Sequence, residues 1–266
     1  MIALSVNLNK IALLRNSRDT RIPDVPEHAR LCLDAGANGI TVHPRPDQRH
    51  IRADDCRDLA AALADGSLPT LDGHRAAEFN IEGNPFAGPR RSERQGVSDF
   101  PGFMALVREL RPTQCTLVPD GDQQLTSDHG FDLLEHGDAL APILAELREL
   151  GIRSSIFMDP VPAQMQRAAD IGADRIELYT ERYARAYGEA GGVDAVLGEY
   201  RRTAEAALEA GLGINAGHDL NLLNLPQFRD LPGLLEVSIG HALTVDALRL
   251  GFPVAVRAYQ TALGRA

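Results

Sequence analysis

Four times along this chain a helical pattern ends in glycine, the backbone turns within a few residues, and a β-rich run follows. The cases are "CLDAGANGITVH" (32–43), "LRELGIRSSIFM" (147–158), "AADIGADRIELY" (168–179) and "ALEAGLGINAG" (207–217). Gly36, Gly151, Gly172 and Gly211 fit the position just past a helix, where the backbone turns left-handed and a side chain is costly. Short helix-to-strand links of this kind belong to crossovers between parallel strands rather than to hairpins. The repetition therefore points to a parallel α/β fold.

Eight strand-like runs are expected, at about residues 2–8, 39–43, 77–82, 114–118, 153–158, 174–179, 212–215 and 235–239. Between them, residues 52–63, 139–150 and 200–210 carry apolar residues at the i, i+3 and i+4 spacing of a helix. Eight strands alternating with helices over about 250 residues is the pattern of a (β/α)8 TIM barrel, here a single domain over residues 1–266. A doubly wound open sheet is the alternative, but no GxGxxG follows the first strand. Two stretches exceed ordinary connections: 64–76, leading into the third strand, and 83–101, following it. The second reads either as a lid on the catalytic face or as a surface insertion.

Composition removes several classes of function. A formal net charge of −10 argues against nucleic-acid or anionic-membrane attraction. No apolar run approaches the ~20 residues of a membrane-spanning helix, and the N-terminus lacks the charged and apolar regions of a signal peptide. Cys32, Cys56 and Cys115 have no metal-type spacing and read as reduced, buried thiols. A cytoplasmic protein is expected. Of 27 basic residues, the only lysine is Lys10.

In a barrel the working face is built by the C-terminal ends of the strands. Those ends carry Asn7, Asn9 and Lys10; His43, Arg45 and His50; Asn80 and Glu82; Thr126; Glu177; Asn215, His218 and Asp219; and Gly240 and His241. Singly, each has a structural explanation, since a histidine after a strand is commonly a hydrogen-bonded loop residue. Together they are more than a structural barrel requires. Histidines and glutamates suit repeated proton transfer near neutral pH. Arg18, Arg45 and His50 suit a phosphate, and small-residue loops after the seventh and eighth strands offer backbone N–H groups to a second. One acid–base cluster facing two anion sites favours a phosphorylated sugar or a pair of phosphorylated substrates.

The segments "VNLNKIALLRNSR" (6–18), "GITVHPRPDQRHI" (39–51), "FNIEGN" (79–84), "LVPD…LTSDHGFD" (117–132), "INAGHDL" (214–220) and "VSIGHAL" (237–243) resemble the pyridoxine 5′-phosphate synthase family, in family order and over nearly the whole chain. The resemblance implies a barrel with additional helices, usually assembled as a homo-octamer. It implies condensation of 1-deoxy-D-xylulose 5-phosphate with 3-amino-2-oxopropyl phosphate to give pyridoxine 5′-phosphate, inorganic phosphate and water, with no organic cofactor and no metal. It assigns His43 and Glu82 as proton acceptors, His218 as proton donor, and Glu177 as the carboxylate facing a cationic transition state. It assigns Arg18, Arg45, His50 and Thr126 to the sugar phosphate, and Asn7, Gly240 and His241 to the amino-ketone phosphate.

The chain departs from the family pattern in places. Asn9-Lys10 stands where Asp-His is common, Asp219 where Gly is common, and Val245-Asp246 where Gly-Arg is common. Asp219 adds a negative charge beside an expected phosphate site, and Lys10 restores positive charge. Lys10 reads as a phosphate or hydroxyl contact rather than a Schiff-base lysine, because the substrate's own amine supplies the imine nitrogen. Two other functions fit the rim residues: a metal-dependent sugar-phosphate isomerase or hydrolase, and a non-catalytic phosphate-metabolite binding protein.

Overall fold

The computed structural model describes residues 1–18, 20–71, 75–121, 123–188 and 192–265. Eight parallel strands close into a barrel: β1 (Ala3–Asn7), β2 (Gly39–Val42), β3 (Glu78–Gly83), β4 (Gln114–Leu117), β5 (Arg153–Met158), β6 (Arg175–Tyr179), β7 (Gly213–Gly217) and β8 (Leu234–Ile239). Each strand pairs with its sequence neighbours, and β8 closes on β1 with Ser238 opposite Ser5. All eight expected strands are present. The four helix-ending glycines have φ between 71° and 99°, the left-handed turn their positions demanded.

The helices are α1 (Asn9–Asn16), α2 (Val25–Asp34), α3 (Ala53–Ala64), α4 (Phe103–Leu110), α5 (Leu133–Glu149), α6 (Met165–Asp170), α7 (Glu181–Tyr187), α8 (Val193–Glu209), α9 (Leu225–Phe228), α10 (His241–Leu250) and α11 (Phe252–Ala262). Two start earlier than the apolar spacing shows. The Asp132 carboxylate caps α5 by accepting from Leu134 N at 2.9 Å, so the helix includes a first turn that reads as polar loop. Helix α8 begins at Val193 rather than near 200.

Alternation along the strands sends two different chemistries to the two faces. Leu4, Val6, Ile40, Val42, Ile81, Leu117, Ile156, Ile176, Leu178, Ile214, Val237 and Ile239 join the buried core beneath the helices. The intervening residues fill the barrel, and many are polar. Asn215 of β7 donates to Gln114 of β4 at 3.2 Å, a contact between strands three apart that only the barrel interior allows. Above it, Ser5 bonds Thr41 at 2.7 Å, Asn80 donates to Thr41 at 3.3 Å, and Thr116 donates to Asn80 at 3.1 Å. Asn80 and Asn215, read from sequence as rim residues, therefore lie inside the barrel below the rim. Lower still, Glu236 meets Arg175 at 3.3 Å and Arg153 at 3.7 Å, and Arg153 also holds Glu78 at 2.6 Å.

The two long stretches have definite structures. Within 64–76, Thr70–Leu71 pairs antiparallel with Arg75–Ala76, and residues 72–74 lie outside the described set. Residues 84–102 are pinned by paired backbone bonds between Arg90 and Phe100, each 2.8 Å, and by Gln48 donating to Ser98 O at 2.8 Å. Cys32, Cys56 and Cys115 are buried free thiols.

Gly130 packs its backbone against the end of β5, and an added Cβ would stand 2.3 Å from Met158 Cα and 2.4 Å from Asp159 N. Neither backbone atom can move aside cheaply. Gly130→Ala is expected to destabilise the protein by about 2–4 kcal/mol in denaturant unfolding. A change below ~0.5 kcal/mol would count against this packing.

Candidate active site

A cavity of about 280 Å³ opens at the C-terminal mouth of the barrel. Thirteen of the sixteen candidate residues line it: Asn7, Asn9, Lys10, His43, Arg45, His50, Glu82, Thr126, Glu177, His218, Asp219, Gly240 and His241. Arg18 is not among its lining residues; it is exposed just beyond the end of α1. None of residues 84–101 lines the cavity, so that loop does not cover it; Leu125, Thr126 and Ser127 of the following loop do.

His43, Glu82 and Glu177 are buried. Asn7 Nδ2 donates to Glu82 Oε1 at 2.9 Å, and the same oxygen lies 3.6 Å from His43 Nδ1. On the other side of the ring, His43 Nε2 lies 3.3 Å from Asp120 Oδ2. The backbone of His43 is fixed by Asn9 Oδ1, which accepts its N–H at 2.9 Å, while Asn7 Oδ1 accepts Asn9 N–H at 3.0 Å. The first strand end thus positions both His43 and its neighbouring carboxylate.

Glu177 rises from β6, where Thr116 Oγ1 donates to it at 3.5 Å. Burial pushes its pKa well above the ordinary carboxylate range, reinforced by the negative charges of Glu82 and Glu236. Burial thereby favours its neutral form, and positive charge arriving nearby would favour its ionisation. Gly217 makes room for it, since a Cβ there would stand 2.1 Å from Glu177 Oε1.

The next two residues leave the strand in left-handed conformations, His218 at φ 71° and Asp219 at φ 54°. Side chains there are strained by roughly 1–2 kcal/mol per residue. Thr180 holds the turn by donating to the Gly217 carbonyl at 2.7 Å and to the His218 carbonyl. The strain brings the His218 ring against Phe157 and Tyr179, with ring centroids 5.0 and 5.5 Å away. Burial lowers its pKa below the ordinary histidine value, opposed by the charges of Glu82, Asp219 and Asp120.

At the far wall His50 Nδ1 accepts the Ile51 N–H at 2.9 Å, which leaves the proton of the neutral ring on Nε2. Burial holds its pKa well below the usual value, helped by His43, Arg45 and Lys10. Arg15 and Asn16 of α1 bind the His50 carbonyl at 3.2 and 2.7 Å, and the Arg15–Asp55 ion pair anchors them. Buried Arg45 spends its fork on Asp120, on Gln124 O at 2.6 Å and on Gly121 O at 3.5 Å. Opposite, Gly240, His241 and Ala242 bring the N-terminus of α10 to the cavity, with no acidic residue in its first turn and no side-chain cap. Its free N–H groups and dipole suit an anion. Among the described residues, no three His, Cys, Asp or Glu side chains are placed to hold a metal ion.

Sequence reasoning missed Asp120, Ser127, Leu220 and Ser238. Asp120 stood within the quoted "LVPD" but after a proline and away from any other candidate, so nothing local linked it to His43.

Adding a Cβ at residue 217 should displace the Glu177 carboxyl more than it disturbs the fold. Gly217→Ala is expected to lower activity at least about ten-fold at unchanged secondary structure, and full activity would show that Glu177 has freedom to move. A second expectation concerns acid. His50 and His218 bind protons less readily folded than unfolded, so below about pH 6.5 the unfolded chain holds more protons. Their contribution to stability is present above that pH and lost as pH falls. Unfolding stability measured from pH 7.5 to 5.5 should decline less steeply in His50→Asn, whose amide oxygen replaces Nδ1 as the Ile51 acceptor; an unchanged slope would place the His50 pKa near 6.5.

Known proteins resemble this chain in fold and in sequence. Structures of similar fold include 3-hexulose-6-phosphate synthase from Salmonella typhimurium, with TM-score 0.57, 13% identity and 98% of each chain covered. Thiamine phosphate pyrophosphorylase from Pyrococcus furiosus aligns with TM-score 0.55 and 11% identity, covering 99% of this chain and 95% of the other. At such identities they show the barrel alone. Pyridoxine 5′-phosphate synthase of Xanthomonas axonopodis pv. citri is 54% identical over 257 residues, 96% of this chain and 94% of that protein. The enzyme of the same name from Xylella fastidiosa (strain 9a5c) is 53% identical over 257 residues, 96% and 92% of the two chains. The family model described as pyridoxal phosphate biosynthesis protein PdxJ matches residues 4–265. The chain belongs to the PdxJ family of pyridoxal phosphate biosynthesis proteins.

Proposed function

We propose that the protein condenses 1-deoxy-D-xylulose 5-phosphate with 3-amino-2-oxopropyl phosphate to form pyridoxine 5′-phosphate, inorganic phosphate and water. The observation that carries this reading is one cavity in which two glutamates and two histidines lie between an arginine–histidine wall and an uncapped helix N-terminus. Two phosphates find separate handles there, with their reacting carbons between them. His50 Nε2–H, Arg45 and Thr126 serve the sugar phosphate; Gly240, His241 and Asn7 serve the amino-ketone phosphate. Arg18 is exposed outside the cavity.

Imine formation, phosphate loss, dehydration and ring closure all require protons to be moved in turn. His43, with Glu82 beside Nδ1, accepts protons from substrate carbon or nitrogen. Burial makes a protonated His218 a ready donor, so a proton placed on it passes to a departing hydroxyl. Glu177 answers positive charge on the substrate nitrogen by ionising. Lys10 supplies a phosphate or hydroxyl contact and offsets Asp219, whose carboxylate also faces the cavity. The family assignment favours this synthase over a metal-dependent isomerase or hydrolase and over a non-catalytic binding protein.

We also propose a cytoplasmic homo-octamer. Leu13 and Leu14 of α1, with Val245 and Leu248 of the adjacent α10, are exposed apolar side chains suited to burial against further copies. Among the described residues no helix is long and apolar enough to cross a membrane, and the free buried cysteines fit a reducing compartment.

Purified protein mixed with both substrates should yield pyridoxine 5′-phosphate, detectable chromatographically. His43→Ala and Glu82→Ala should each lower kcat by about 10²–10⁴-fold at unchanged folding. Absence of product from the unaltered protein, under conditions where a known synthase works, would overturn the proposal.

A further inference from the structure

Asp120 follows β4 and touches two groups of the cavity with a single oxygen. Its Oδ2 lies 3.3 Å from His43 Nε2 and accepts from Arg45 Nη2, while Oδ1 is buried with no hydrogen-bond partner. An oxygen stripped of water and given nothing in return is costly, so this carboxylate is not in its most favourable arrangement. Arg45 gives Nη1 to the carbonyls of Gly121 and Gln124 and Nη2 to Asp120. A phosphate gripped by a fork that includes Nη2 meets Asp120 there as a charged competitor.

We propose that Asp120 is a positioning residue that the phosphate of the incoming sugar substrate displaces from Arg45, after which its charge is left to hold His43 alone. In the empty cavity the Asp120 charge is shared between the guanidinium and the imidazole. Once phosphate neutralises Arg45, the carboxylate faces His43 Nε2 unshared, ready to stabilise the imidazolium that forms when Nδ1 takes a proton from substrate. Binding at the phosphate handle thereby readies the acceptor at the reacting carbons. This rests on the reading of Arg45 as a phosphate contact.

The alternative is a purely structural ion pair, and the two differ in sign. Asp120→Asn keeps the shape and can still accept from His43, but brings no charge to Arg45. Inorganic phosphate, titrated calorimetrically, should then bind about ten-fold tighter than to the unaltered protein, and Arg45→Ala in the same background should abolish the gain. In turnover assays KM for 1-deoxy-D-xylulose 5-phosphate should fall while kcat falls about ten-fold or more, and Asp120→Glu should recover part of kcat. Phosphate affinity that is unchanged or weaker in Asp120→Asn, or a kcat within two-fold of the original, overturns the proposal. Should Asp120→Asn fail to fold, Asp120→Ser carries the same test. If the unaltered protein makes no product, the proposed reaction fails, whereas the phosphate titration still decides the role of Asp120.

Discussion

Polar side chains inside a closed barrel have no water to fall back on, so each must find a partner within a few ångströms. This chain fills its barrel with Ser5, Thr41, Asn80, Gln114, Thr116, Asn215 and Glu236 where branched apolar residues commonly stack. Ser5, Thr41, Asn80 and Thr116 form one hydrogen-bonded column beneath the cavity, and Gln114, Asn215 and Glu236 form a second group. Thr116 is the link: it donates to Asn80 in the column and reaches Glu177 in the cavity. Glu177 on β6 is thus tied to side chains of β1, β2, β3 and β4.

The same low-dielectric column sets the protonation of the site. Glu177 and Glu236 sit in one barrel interior, and burial raises both, Glu236 to about 7. Arg175 and Arg153 restrain Glu236, while the charged groups acting on Glu177 are the carboxylates of Glu82 and Glu236. Positive charge on a substrate of the proposed reaction would offset theirs and favour the ionised form of Glu177. His50 and His218 are shifted the other way by the same burial, toward the neutral form.

Strain is concentrated where substrate must approach. His218 and Asp219 both adopt left-handed backbone conformations, held by Thr180 and by Asn224 donating to Asp219 O at 3.1 Å. Without that turn the imidazole would follow the strand direction out of the mouth instead of packing against Phe157 and Tyr179. Gly217 is the small residue of this segment for a separate reason, the space taken by Glu177.

Local pattern alone determined the barrel: four glycine-ended helices and eight short apolar runs leave a chain of this length few parallel arrangements. It also determined which strand ends carry ionisable groups, because period-two alternation is a local property. The tertiary structure decided what those groups do to one another. That Asn80 and Asn215 belong to the barrel interior, that Arg18 stands outside the cavity, and that Asp120 joins His43 to Arg45 all depend on distances between strands far apart in sequence. Hydrogen bonding and desolvation act over a few ångströms of space and are indifferent to sequence separation, so only the closed barrel reveals which polar residues share a partner and which are left without one.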